Sequence, residues 1–96
     1  MIHEIADLRT DPAQREAFEQ AIRHGASTQL SQAEGYLGHT VIRCIETPGR
    51  YLLHVRWATL EAHTIGFRES ERFAAWRAIV GPYFTAPPQV EHFEDI

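Results

Sequence analysis

Apolar residues change their spacing several times along the chain, and each change marks an element. From Ile2 to Thr10, β-branched and apolar side chains mix with polar ones and predict a strand. Its alternation is imperfect, with Ile5, Ala6 and Leu8 falling on both faces, as in a strand covered on both sides. Asp11-Pro12 then opens a helix, because Asp11 can accept from the free N–H groups of the first turn and Pro12 has no N–H to lose there. Gln14 stands where a capping box places its returning side chain. Phe18, Ala21, Ile22, Ala26, Leu30 and Ala33 follow helical spacing, and Gly25 within that run suits a close approach or a bend. Gly35 ends the helix.

Two strands follow, Tyr36 to Glu46 and Tyr51 to Ala58, joined by the turn Thr47-Pro48-Gly49-Arg50 as an antiparallel hairpin. In the second of them, Tyr51, Leu53, Val55 and Trp57 share one face, and Leu52, His54 and Arg56 the other. Thr59 caps a short helix reaching about Phe67, and Ser70 caps another from Glu71 to Val80, stopped by Gly81-Pro82. A Pro-containing loop from Tyr83 to Pro88 leads to a last strand, Gln89 to Glu94. The order β-α-β-β-α-(α)-β predicts one ferredoxin-like α+β domain spanning residues 1–96, a four-stranded antiparallel sheet with helices on one face. Its other face would carry Leu52, Val41, Ile45 and Phe93. An open apolar face of that kind predicts a homodimer in which two sheets meet.

Composition and charge then narrow the functional classes. The net charge is −4, and every one of the nine basic residues is Arg. The Arg residues are scattered, so no basic stripe exists for nucleic acid. No apolar run is long enough to span a membrane, and the amino-terminal residues lack the basic start and apolar stretch of a signal peptide, so a cytoplasmic protein is expected. Cys44 is the single cysteine, excluding an internal disulfide. It shares a strand face with Ile42 and reads as a buried, inert thiol. Gly35-Tyr36-Leu37-Gly38 opens a strand, not a helix, and is no phosphate loop.

The candidate chemistry gathers on the two later helices. His63 lies with Leu60, Thr64 and Phe67 on an inward stripe, and Phe73, Trp76, Arg77 and Val80 share a face of the next helix. A pocket floored by Trp57 and Tyr51 and walled by Phe67, Phe73 and Trp76 would hold a flat aromatic ligand. The same aromatics also read as plain core. His63 would move protons, with His39 and His92 on strands able to join it, whereas His3, His24 and His54 have no such setting. A satisfied structural histidine is the alternative. Arg68 and Arg77 would hold an anionic or phenolate group, or else pair with Glu69 or Glu71. The six His residues include no H-x-H or H-x-x-x-H pair, and no metal site is expected.

The run Glu46-Thr47-Pro48-Gly49-Arg50-Tyr51-Leu52-Leu53-His54-Val55-Arg56-Trp57-Ala58-Thr59-Leu60-Glu61-Ala62-His63-Thr64 resembles the antibiotic biosynthesis monooxygenase family. Phe67-Arg68-Glu69-Ser70, Phe73, Trp76-Arg77 and the ending Pro88-Gln89-Val90-Glu91-His92 extend the resemblance over essentially the whole chain. It implies a dimeric α/β barrel of two ferredoxin-like units, some of whose members oxidise polycyclic phenols with O₂ and no metal, flavin or other cofactor. Trp57 matches the family's Trp at the end of the third strand, and His63 stands where relatives carry His or Tyr. The Asn that accompanies the Trp in the quinone-forming members would fall near Leu53, and this chain contains no Asn. Arg77 stands where the haem-degrading branch has its His ligand, so haem degradation is not implied.

The resulting expectation is a cofactor-independent monooxygenase for an electron-rich aromatic or quinol-type molecule. His63 would take the proton and Trp57 would stack on the anion. The alternatives are a non-catalytic small-molecule-binding dimer and an acid–base isomerase or lyase on the same fold.

Overall fold

A computed structural model describes residues 1–96. Strands β1 (Ile2–Arg9), β2 (Tyr36–Arg43), β3 (Arg50–Trp57) and β4 (Gln89–Glu94) form one antiparallel sheet in the order β2-β3-β1-β4. Helices α1 (Arg15–Thr28) and α2 (Glu71–Val80) cover one face, as the ferredoxin-like pattern predicts.

Register settles which side chains face the helices. Ala6 opposes Leu53 and Leu8 opposes Tyr51 between β1 and β3, and all four are buried. Glu4 lies in phase with them and is buried too, while Ile5 turns to the open face. The mixed pattern of β1 is thus resolved into one covered and one open side. Val41 opposes Leu53 and packs on the core, so it leaves the open face on which alternation had placed it. A bulge between Tyr36 and Gly38 shifts the pairing there, and β2 ends at Arg43, leaving Ile45 in the following bend. Leu52 and Phe93 do lie on the open face, and Ile42, expected on the opposite side, joins them there. Cys44 follows the strand and is half-buried rather than buried, because its neighbour Ile42 faces outward.

Local chemistry accounts for most boundaries. In the hairpin turn Arg50 N–H donates to Thr47 O at 3.2 Å, with Gly49 at φ +83°, the type II geometry that Pro-Gly favours. Asp11 accepts from Ala13 N–H at 2.9 Å, but Gln14 returns no side-chain bond and a short 3₁₀ turn precedes α1. The helix predicted to run to Ala33 stops at Thr28 and resumes as a 3₁₀ turn at Leu30–Gln32. Ser27 and Thr28 both donate to His24 O there, in competition with regular backbone pairing. Ser70 caps α2 by accepting from Phe73 N–H.

The segment after β3 departs most from expectation. Thr59 accepts from Ala62 N–H at 3.1 Å, as a cap should. Ala62–Phe67 then forms a π-helical turn, in which Arg68 N–H donates five residues back to His63 O at 3.1 Å. The wider turn brings His63 and Phe67 inward and leaves Leu60 exposed, outside the stripe assigned to it. Short π-helical turns recur at functional sites.

Candidate active site

A cavity of about 230 Å³ lies between the covered face of the sheet and the helical layer. Ala6, Leu8, Leu53 and Val90 form its floor, and Phe67, Phe73 and Trp76 wall it. Trp76 reaches this position because Gly25 lets α2 close on α1: a Cβ there would stand 2.9 Å from Trp76 Cε3. Arg68 and Arg77 complete the lining on the exposed side. Neither forms an ion pair with Glu69, Glu71 or any other acid, so both guanidinium groups stand beside an apolar cavity without a carboxylate in contact. The Arg77 guanidinium sits 5.9 Å from the Phe73 ring centroid.

One wall is polar, and it contains a residue that sequence reasoning passed over. Glu4 projects from β1 into the covered layer, where its carboxyl is almost wholly withdrawn from solvent. Trp57 Nε1–H donates to Glu4 Oε1 at 2.9 Å. His63 Nε2 lies 3.4 Å from the same oxygen, and His63 Nδ1 is 2.8 Å from Nε2 of His92. His92 reaches this place because β4 sets it directly opposite Glu4 on β1. The signal was present in the sequence: alternation puts Glu4 in phase with Ala6 and Leu8, an acid on an apolar face.

These contacts determine protonation. Burial, then the charges of Arg68 and His92, hold His63 down at about 3, so its ring is neutral near pH 7 and its approach to Glu4 is not an ion pair. Burial pushes the Glu4 carboxyl above its ordinary range, and the Trp57 hydrogen bond and Arg68 charge offset part of that rise. His92 is lowered by burial and by Arg68. Both nitrogens of His63 face protein partners, leaving the ring no free nitrogen for a ligand.

The predicted floor is corrected. Trp57 is 0% exposed and does not line the cavity; the His63 ring stacks on it at 5.1 Å and 16°. It touches the site through Glu4 and His63, so it cannot stack on a bound molecule. Tyr51 points to a separate, more polar cavity, where its hydroxyl donates to Glu19 at 2.7 Å and its own ionisation is pushed up to about 12, chiefly by burial. His39 lines that second cavity and pairs with the Tyr36 hydroxyl at 2.6 Å, away from His63. Alternation assigned Tyr51 and Trp57 to the correct face but could not tell that this face carries two separate pockets. His3 and His54, given no setting from sequence, meet at 2.8 Å on the open face, with Asp95 3.0 Å from His3. No three His, Cys, Asp or Glu side chains converge to ligate an ion.

The sequence profile described as Antibiotic biosynthesis monooxygenase matches residues 1–79. The chain belongs to the antibiotic biosynthesis monooxygenase family. Among relatives of this monooxygenase family, YczJ of Bacillus subtilis (strain 168), an uncharacterized protein, is 40% identical over the full length of both chains. The crystal structure of a candidate antibiotic biosynthesis monooxygenase from Bordetella bronchiseptica superposes with a TM-score of 0.92 at 37% identity, covering 99% of this chain and 96% of that one. A Streptomyces coelicolor monooxygenase from the gene ActVA-Orf6, solved with Nanaomycin D, shares the fold at a TM-score of 0.83 and 16% identity, over 99% and 87% of the two chains. Membership agrees with the ferredoxin-like architecture and with a function of the monooxygenase type. No helix is long and apolar enough to cross a membrane.

Proposed function

We propose that this protein oxidises a small, electron-rich aromatic or quinol-type molecule with O₂, the substrate itself supplying the electrons. The observation that carries the reading is the cavity's make-up: aromatic walls, one buried acid–base cluster and two unpaired guanidinium groups around the same space. The walls bind a flat ring. The cluster holds the group that removes a phenolic or activated C–H proton, with His63 inside it and Trp57 behind it. Arg68 and Arg77 stabilise the resulting anion, whose charge counts for more in a water-poor cavity. The electron-rich anion reduces O₂. For a phenol becoming a quinone, one oxygen atom enters the ring and the other leaves as water, so no external reductant is consumed. A cavity of about 230 Å³ falls below the ~300–1,000 Å³ usual for drug-sized ligands, which favours substrates of few rings. The working unit on this reading is a homodimer closed across the open sheet faces.

Oxygen-electrode measurements with one- to three-ring phenols and hydroquinones test the proposal. Uptake is expected for at least one compound, and Arg68→Gln with Arg77→Gln should raise its KM about tenfold or more, the loss of roughly one to two kcal/mol of charge-assisted binding. Binding without oxygen uptake would favour a carrier and overturn the oxygenase reading.

A further inference from the structure

The acid–base cluster contains one atom placed to meet a substrate, and it does not belong to a histidine. We infer that Glu4 is the proton acceptor of this cavity, taking the substrate's proton on Oε2 while Trp57 and His63 act as positioning residues that hold the carboxylate. The inference rests on the oxidation reading given above and names the base for that site.

Three observations converge on it. Trp57 Nε1–H and His63 Nε2 both approach Oε1, so that oxygen is committed to the protein. Every fully buried side-chain nitrogen and oxygen in the molecule has a hydrogen-bond partner. Oε2 has none within the protein, so it is not sealed in the core, and Glu4 lines the cavity. His63 cannot take this role directly, because His92 holds its Nδ1 at 2.8 Å and Glu4 stands against its Nε2. The stacked indole of Trp57 and the hydrogen bond to His92 fix the imidazole plane, and the imidazole in turn closes one side of the carboxylate.

The proton account balances. The substrate's O–H or activated C–H bond breaks, an O–H bond forms at Oε2, and the electron pair stays on the substrate as an anion beside Arg68 and Arg77. O₂ then adds to a ring C–H carbon as a peroxide, and Glu4 returns that proton to its outer oxygen. The same carbon next loses its hydrogen as a proton while the O–O bond breaks and the C=O forms. The departing hydroxide takes this second proton and leaves as water, so the carboxylate is restored. A carboxylate held above its ordinary range is a stronger base than an exposed one, and burial supplies that shift. The groups that bear on its titration are Trp57 from β3, His92 from β4, His63 and Arg68 from the π-helical segment and its end, and Arg77 across the cavity from α2.

Anaerobic deuterium exchange tests the base without any oxygen chemistry. The probe is β-tetralone, an enolisable two-ring ketone, followed by proton NMR in D₂O under nitrogen. The wild-type protein should accelerate loss of the benzylic C–H signal, and Glu4→Gln should slow the exchange by about a hundredfold or more, the usual range for a positioned base. Glu4→Asp, which keeps the charge and shortens the reach, should restore part of it. The exchange rate should rise with pH through a single midpoint above the ordinary carboxylate range. Trp57→Phe removes a hydrogen bond that favours the carboxylate and should move that midpoint upward, a readout that remains if Glu4→Gln does not fold. No acceleration by the wild-type protein, equal rates in wild type and Glu4→Gln, or an unmoved midpoint in Trp57→Phe would each overturn the inference. Glu4-dependent exchange in a protein that consumes no oxygen with any aromatic would instead keep the base and overturn the oxidation.

Discussion

Burying a histidine beside a glutamate makes stability depend on pH, with opposite signs for the two residues. His63 titrates at about 3 in the folded chain against an ordinary 6.5. Below that ordinary value the unfolded chain binds a proton that the folded chain refuses. The stability present above pH 6.5 is therefore lost progressively as pH falls toward 3. The loss reaches about 2 kcal/mol near pH 5. Glu4 acts in reverse, since its raised value gives a contribution present below the ordinary 4.5 and lost as pH rises through the folded value. Replacing His63 isolates the first effect. Urea denaturation of wild type and His63→Gln at pH 7.5 and pH 5 should show the variant gaining on wild type by about 2 kcal/mol at the lower pH. A difference that does not change with pH would mean that His63 is hydrated.

At the scale of elements, the contact between α1 and α2 joins folding to the site. Gly25 packs on the face of Trp76, and Trp76 walls the cavity. Gly25→Ala would gain up to about 1 kcal/mol of helix propensity and spend much of it on moving the indole. Gly25→Val adds β-branched bulk at the same contact and should destabilise the protein by about 2 kcal/mol. It should also weaken binding of any aromatic ligand, because the displaced indole enters the cavity. Denaturation and tryptophan fluorescence together check this, and a Val variant as stable as wild type with unaltered emission would show that the helices separate freely. The π-helical turn works at the same scale. It turns both His63 and Phe67 inward from a segment whose apolar spacing is that of an ordinary helix.

For the whole molecule, the decisive surface is the uncovered side of the sheet. Ile42 is 56% exposed and Phe93 50%, with Ile5 and Leu52 half-buried between them. Polar groups stand among and around these residues: His54 opposes Ile5 and Asp7 opposes Leu52, with His3 and Arg56 paired toward one end and Arg9 and Arg50 toward the other. Such a mixture of apolar and polar side chains, with Arg at its ends, is common in protein interfaces. Sedimentation of the wild-type protein should give twice the mass of the 11.0 kDa chain. Ile42→Asp with Phe93→Asp should give the single-chain mass with the fold retained by circular dichroism. A wild-type protein that sediments as one chain would remove the paired-sheet arrangement.

Period and punctuation were enough to predict the order of elements and the layer architecture. Asp11, Ser70 and the Pro48-Gly49 turn act through nearest neighbours, so their effects are readable from a few adjacent residues. The apolar face of β3 is equally local, because side-chain alternation is a property of the strand itself. The family segment around Trp57 and His63 was legible for the same reason, being one continuous run. Tertiary structure decided everything that depends on pairing between distant strands. Register placed His92 opposite Glu4, sent Val41 inward, and separated Tyr51 and His39 from the cavity of His63. It also made Trp57 a buried support instead of a ligand platform. A shift of one residue in strand pairing reverses every side chain, and single-strand periodicity carries no information about that pairing. Alternation already puts a carboxylate on the apolar face of β1, but its partners Trp57, His63 and His92 reach it only when the sheet closes.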